Sequence, residues 1–171
     1  MTGLHSGYLT DHQMNIWEMI RDGLSQTEIA RRMNVSQQAV SQVVGAISER
    51  MSAALNDAAK LNDIEPRFMD VSSGVMLGWS SCFQTEAVIT LNSRTGLQIY
   101  YQHNLGECKI CMKKRACKSR LLKNAQELGV PLTRQEKHLN PSELSSLVFS
   151  RVLGRNTGRN EKDSSIYRPL I

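Results

Sequence analysis

The sequence predicts an α+β, mostly helical chain: an N-terminal helix-turn-helix with a long third helix, then a small β-hairpin or sheet plus helices carrying a metal or cluster site. Three observations predict it. Up to about residue 63, apolar residues recur every three or four positions, and each run opens on a residue able to cap a helix. Between residues 71 and 103 that period gives way to β-branched and aromatic residues on either side of the turn sequence NSRTG. Three of the four cysteines then fall within the stretch GECKICMKKRACKSR, residues 106–120.

Residues 1–9 read as a loose terminus. Thr10 reads as an N-cap, Met14, Ile16, Trp17 and Ile20 supply the apolar stripe of a first helix, and Gly23 ends it. Ser25 followed by Glu28 is a capping box, so a second helix starts at Gln26, with Ile29, Ala30 and Met33 inward. Asn34, Val35 and Ser36 form a tight turn, with Ser36 as the next N-cap. The third helix opens at Gln37 and is long. Val40, Val44, Ile47, Met51, Leu55, Ala58 and Leu61 recur along it at three- and four-residue steps. The part from Val40 to Ile47 is expected to pack on the first two helices. The part from Met51 onward is expected to form a two-helix dimer seam, the alternative being that it packs on the C-terminal domain.

Asp63 to Pro66 breaks the helix. TEAVITL and LQIYYQH read as the two strands of a hairpin, and GVMLGWSSCF before them as a third strand carrying Cys82. After Cys117 a helix resumes in KSRLLKNAQELG, ended by Gly129 and Pro131, and Pro141 opens another in NPSELSSLVFSRVLG. The expected domains are residues 1–63, a helix-turn-helix with a dimerisation helix; 64–155, a cysteine-containing α+β domain; and 156–171, a flexible basic tail. There is no internal repeat.

The totals bound the possibilities. With 171 residues, 40% of them hydrophobic, the chain is one domain or two small ones with a real core. No signal sequence is visible, and no apolar stretch approaches the roughly 20 residues of a membrane span, so a soluble, cytoplasmic protein is expected. The net charge is +5, and its distribution is uneven. Residues 1–64 are net −2, residues 65–105 net −1 and residues 106–171 net +8. A basic excess suits a polyanionic partner.

Gln37, Gln38, Ser41 and Gln42 share the polar face at the start of the third helix. Gln side chains can pair with adenine N6 and N7 in the major groove, and Ser is a less selective contact. Arg31, Arg32 and Arg50 are candidate phosphate contacts. The stretch LTDHQMNIWEMIRDGLSQTEIARRMNVSQQAVSQVVGAISER resembles the helix-turn-helix of the LuxR and sigma region 4 type, and most of all the archaeal Tfx-type DNA-binding proteins. The resemblance covers residues 9 to about 60. It implies double-stranded DNA as partner, read by Gln37, Gln38, Ser41 and Gln42, and a homodimer on paired half-sites. The departure is the unit's net acidity, which leaves its affinity for the DNA backbone to be supplied elsewhere. The plainer reading is a three-helix protein-docking module.

Cys108-x2-Cys111-x5-Cys117 places two thiols on one tight turn and a third five residues further on. A single zinc usually takes two such clips, or a clip and a His pair, whereas a larger cubane takes ligands from several corners, with Cys as its standard ligand. The spacing is similar to that of several [4Fe–4S] proteins, among them FNR-type and WhiB-like transcription regulators and endonuclease III-type DNA glycosylases. That likeness is confined to the spacing and implies a fourth ligand from elsewhere in the chain, for which Cys82 is the only cysteine. The alternative is zinc on the three cysteines and His103. Lys109, Lys113, Lys114, Arg115, Lys118 and Arg120 surround the thiols. They would raise the reduction potential of a cluster, lie on DNA phosphate, or simply be solvated. The expectation is a sequence-specific transcription regulator, not an enzyme, whose [4Fe–4S] cluster on Cys82, Cys108, Cys111 and Cys117 senses oxygen or redox state. The alternative is a zinc-stabilised DNA-binding protein without sensing.

Overall fold

The computed structural model describes residues 8–102 and 105–157. By internal contact the chain divides into two units, Met1–Tyr101 and Gln102–Ile171. His103 and the residues from 158 onward lie outside the described residues, so the expected tail is reached only at its first two positions, which end the last helix.

The first unit opens with α1 (Asp11–Arg21), α2 (Gln26–Met33) and α3 (Gln37–Leu61). Each starts where a side-chain oxygen satisfies amides that have no partner inside the helix. Thr10 Oγ1 accepts from Gln13 N at 3.2 Å, and Gln13 Oε1 returns the bond to Thr10 N at 3.1 Å. Ser25 and Glu28 form the same reciprocal box, and Ser36 Oγ accepts from Ala39 N at 3.1 Å. Asn34 ends α2 in the left-handed conformation, with φ 54°, and Val35 N then donates back to Ala30 O at 3.0 Å. That short C-cap turn sets the direction in which α3 departs.

A four-stranded antiparallel meander follows: β1 (Ile64–Asp70), β2 (Val75–Ser80), β3 (Thr85–Asn92) and β4 (Gly96–Tyr101). β1 departs from the sequence expectation, in which Asp63 to Pro66 only breaks the helix. Pro66, which has no amide to give to a ladder, sits on the edge strand beside the register shift between Pro66 and Phe68, where the sheet tolerates it. The β3–β4 hairpin closes at Asn92↔Gly96, as the sequence predicts.

The sheet covers the C-terminal half of α3, and this corrects the dimer seam. Met51, Ala54, Leu55, Ala58 and Ala59 are buried in one core with Ile64, Met76, Ala87, Ile89 and Leu91 of the sheet. Met51 and Leu55 are 0% exposed within a single chain, so that face is already occupied and cannot zip onto a second copy. The expected boundary after Asp63 is therefore not where the chain divides. The helices and the sheet share a core, and the division falls after Tyr101. Gly74 marks how tightly the layers meet. It has φ +66°, and a side chain there would collide with Leu91 O and stand 3.0 Å from Trp17 Cζ2.

The second unit holds α4 (Leu105–Ile110), α5 (Lys114–Glu127) and α6 (Pro141–Thr157), with a short 3-10 turn at Glu136–His138. α5 begins earlier than the sequence suggests, and most of the cysteine segment is helical rather than a loop. Leu121, Ala125 and Leu128 of the α5 segment and Leu144, Val148, Phe149 and Val152 of α6 are buried. Gly129, at φ +63°, ends α5, and Val130 N donates to Ala125 O at 2.8 Å. Among the described residues no helix is long and apolar enough to cross a membrane.

Candidate nucleic-acid interface and thiol group

The candidate reading surface is the exposed start of α3. Gln37, Gln38, Ser41 and Gln42 occupy positions i, i+1, i+4 and i+5 and are all exposed, while Val40 between them is buried at 1%. Helical geometry puts the four on one face. Val40 and Ile47 anchor the opposite face in the core shared with Ile16, Trp17, Ile29 and Ala30. The sequence logic is simple. The apolar stripe fixes the helix's rotation, and the rotation leaves the glutamines outward.

The three arginines are not equivalent. Arg31 and Arg32 are exposed in the last turn of α2, and their charges help hold the Glu28 carboxyl below its ordinary range, after the larger effect of its bonds from Ser25. Arg50 stands apart. It lies eight positions beyond Gln42, roughly 12 Å along the helix, and its Nη1 donates to Gln13 Oε1 at 3.0 Å. The same Gln13 oxygen accepts the capping bond from Thr10, so Arg50 ties α3 to the start of α1. Sequence reasoning missed this because the two residues are 37 positions apart.

The four cysteines are distributed over both units. Cys82 is exposed on the β2–β3 turn of the first unit, where it lines an open cleft with Lys60, Asp63, Ile64, Glu65 and Ser81. Its neighbour Phe83 is 61% exposed and packs at a tilt against Tyr101, with ring centroids 4.7 Å apart and planes 59° apart. Cys108 is buried on α4, Cys111 is exposed in the break after α4, and Cys117 is half-buried on the first turns of α5. Cys117 N donates to Lys113 O at 2.9 Å, which fixes that sulfur's helix relative to the break. Burial, and then the neighbouring thiols of Cys108 and Cys111, push the Cys117 thiol up from its usual range, against a smaller opposing effect of Arg120. Cys108 and Cys111 thus lie within electrostatic reach of the Cys117 thiol. Among the described residues no three Cys, His, Asp or Glu side chains are arranged to hold a metal ion, and His103, the alternative ligand, lies outside those residues.

Comparison with protein families gives one result: residues 8–59 match bacterial regulatory proteins of the luxR family. The match spans α1, α2 and nearly all of α3, and it stops short of the sheet and the cysteines. It covers well under half of the chain, so the likeness is that of the helix-turn-helix domain. No curated protein and no solved structure matches the chain.

Proposed function

We propose that the chain is a sequence-specific DNA-binding transcription regulator that reads duplex DNA with the start of α3. The observation that carries the reading is the outward face of Gln37, Gln38, Ser41 and Gln42 on a capped third helix, inside a domain similar to those of luxR-family regulators. Bases are read in the major groove by Gln37, Gln38 and Gln42, with Ser41 as a secondary contact. Arg31 and Arg32 meet phosphate. Arg50 acts at most as a remote phosphate contact, since its guanidinium is engaged by Gln13. Regulators of this kind read paired half-sites, and two copies are expected on the operator. They associate through a surface other than the sheet-covered face of α3.

The cysteine segment carries the second part of the proposal. Cys108, Cys111 and Cys117 are three ligands of a [4Fe–4S] cluster, and Cys82 is the fourth. What supports this is the spacing of the three thiols and the influence of Cys108 and Cys111 on Cys117, and Cys82 enters as the one cysteine of the sequence outside that motif. When bound, the cluster supplies a redox- and oxygen-sensitive centre. The chain's own part is to present thiolates and to surround them with Lys109, Lys113 and Arg115, whose charge favours the ligated anion. Zinc on the same three sulfurs with His103 is the reading that a colourless protein would leave.

The test is selection of duplexes from a random pool by the full-length protein, followed by binding to the recovered sequence. Gln42→Ala is expected to cost about 1–3 kcal/mol on the selected site, and nothing on a scrambled duplex. Recovery of no consensus sequence would remove the sequence-reading role and leave a docking module.

A further inference from the structure

The chain turns between α4 and α5 through Ile110, Cys111, Met112 and Lys113. Ile110 is 86% exposed and Met112 98%, while Cys108, only a few residues away, is 7% exposed. Next to the inward Cys108 of α4, the tip thus sends its two large aliphatic side chains, and the Cys111 thiol between them, into solvent. Cations stand on both sides of them. Lys109, Lys113, Arg115 and Arg120 are exposed, and Lys114 and Lys118 are half-buried. From Cys108 to Gln126 there is no acidic residue.

Local physics argues against this arrangement as a mere surface. The first turn of α5 has no acidic residue, and Lys113 at its N-cap provides no side-chain bond. Cations therefore crowd the positive end of a helix dipole, which costs stability. A surface that breaks two local rules at once needs an outside partner that offsets the cost, and the charge says that the partner is anionic. Beyond Arg31 and Arg32 the reading domain supplies little backbone affinity, since residues 1–64 are net −2 and residues 106–171 net +8.

We propose that this tip is a second, sequence-independent contact to duplex DNA. Lys109, Lys113, Lys114 and Arg115 meet phosphates, and Ile110 and Met112 enter the minor groove as an apolar wedge. The proposal rests on the reading that the chain binds DNA. The minor groove, about 6 Å wide, admits narrow side chains but not a helix, and aliphatic wedges flanked by cations are its characteristic occupants. A membrane surface fits less well. An interfacial helix lays a whole apolar face into the headgroup layer, but Leu121 and Ala125 of α5 are buried inside the unit, leaving two side chains to insert.

The experiment measures fluorescence anisotropy of a mixed-sequence 30-base-pair duplex, roughly two to three helical turns long, with the full-length protein over about 50–200 mM KCl. The triple variant K113A/K114A/R115A is expected to flatten the slope of log K against log salt by about 0.9 per lost phosphate contact, so about 2–3 in all. Arg115→Ala alone, at an exposed position, is expected to flatten it by about 0.9 and stands in should the triple variant not fold. Ile110→Ser with Met112→Ser is expected to weaken binding about tenfold or more while leaving the slope as in the wild type. An unchanged slope in the charge variants overturns the proposal alone. A wild-type protein that binds no duplex overturns it together with the function from which it starts. Sedimentation with phosphatidylserine-rich vesicles, lost in the triple variant while the DNA slope stays the same, overturns it in favour of a membrane surface.

Discussion

Glu136 stitches a loop to a helix: its bonds with Thr133 make a local box three residues wide, and its bond with Arg151 is one that no local rule would have found. Its carboxylate accepts from Thr133 N at 2.8 Å and from Arg151 Nη1 at 3.2 Å and Nη2 at 2.5 Å. Arg151 Nη1 also donates to Pro131 O at 2.9 Å, so the segment after α5 is pinned to α6. The Arg151 guanidinium, helped by the Thr133 bonds, holds the Glu136 carboxyl at about 2, well below its ordinary 4.5. A carboxyl depressed by folding adds stability that is complete above its unfolded pKa and disappears as pH falls through the folded one. The wild type is therefore expected to exceed Glu136→Gln in urea resistance at pH 7, with the gap closing between about pH 4.5 and pH 2. A gap independent of pH over that range would mean that packing, not charge, holds the loop. Ser25 and Glu28 make the contrast. Their box is three residues wide and readable as a motif, whereas Glu136 and Arg151 are 15 apart and meet only through the fold.

At the scale of elements, periodicity says which face of a helix is apolar and is silent about what covers it. The stripe on α3 is where the sequence puts it at Val40, Ile47, Met51, Leu55 and Ala58, with Val44 half-buried, but it stops short of Leu61, which is 83% exposed beyond the sheet's cover. Its cover from Met51 onward is the sheet, not a second copy. The error has a physical source in β1. Glu65, Pro66, Arg67 and Asp70 hide a strand whose apolar signal is only Ile64, Phe68 and Met69, and without β1 the sheet looks too small to bury a helix. The cysteine segment misled for a related reason: ligand spacing suggests a loop, but α4 and α5 carry Cys108 and Cys117 on helices. The cover makes a clear prediction for Leu55, which is 0% exposed. Leu55→Ala is expected to cost about 2–5 kcal/mol in equilibrium unfolding, with no change in the association state by sedimentation. A variant of unchanged stability but weaker self-association would restore the dimer seam.

At the scale of the whole molecule, the proposed reading surface and the proposed grip differ in charge. The glutamines sit in a domain that is net acidic, and the cations belong to the unit that holds three of the four thiols. A base-reading surface with little backbone affinity is weak on every sequence, so the affinity of the intact chain should follow the state of the thiol segment. The decisive set is four single Cys→Ser variants of the full-length protein, purified without oxygen and assayed for iron, sulfide and visible absorption. With a [4Fe–4S] cluster on Cys82, Cys108, Cys111 and Cys117, the wild type is brown, with about four iron per chain, and each variant loses the colour. Loss at Cys108, Cys111 and Cys117 but full retention at Cys82 would move the fourth ligand elsewhere, His103 first. A colourless wild type holding one zinc would end the sensor reading. Air exposure of the brown protein is then expected to weaken its binding to a mixed-sequence duplex at moderate salt. The triple variant K113A/K114A/R115A should lose most of that response, because the grip that oxidation disturbs is already gone.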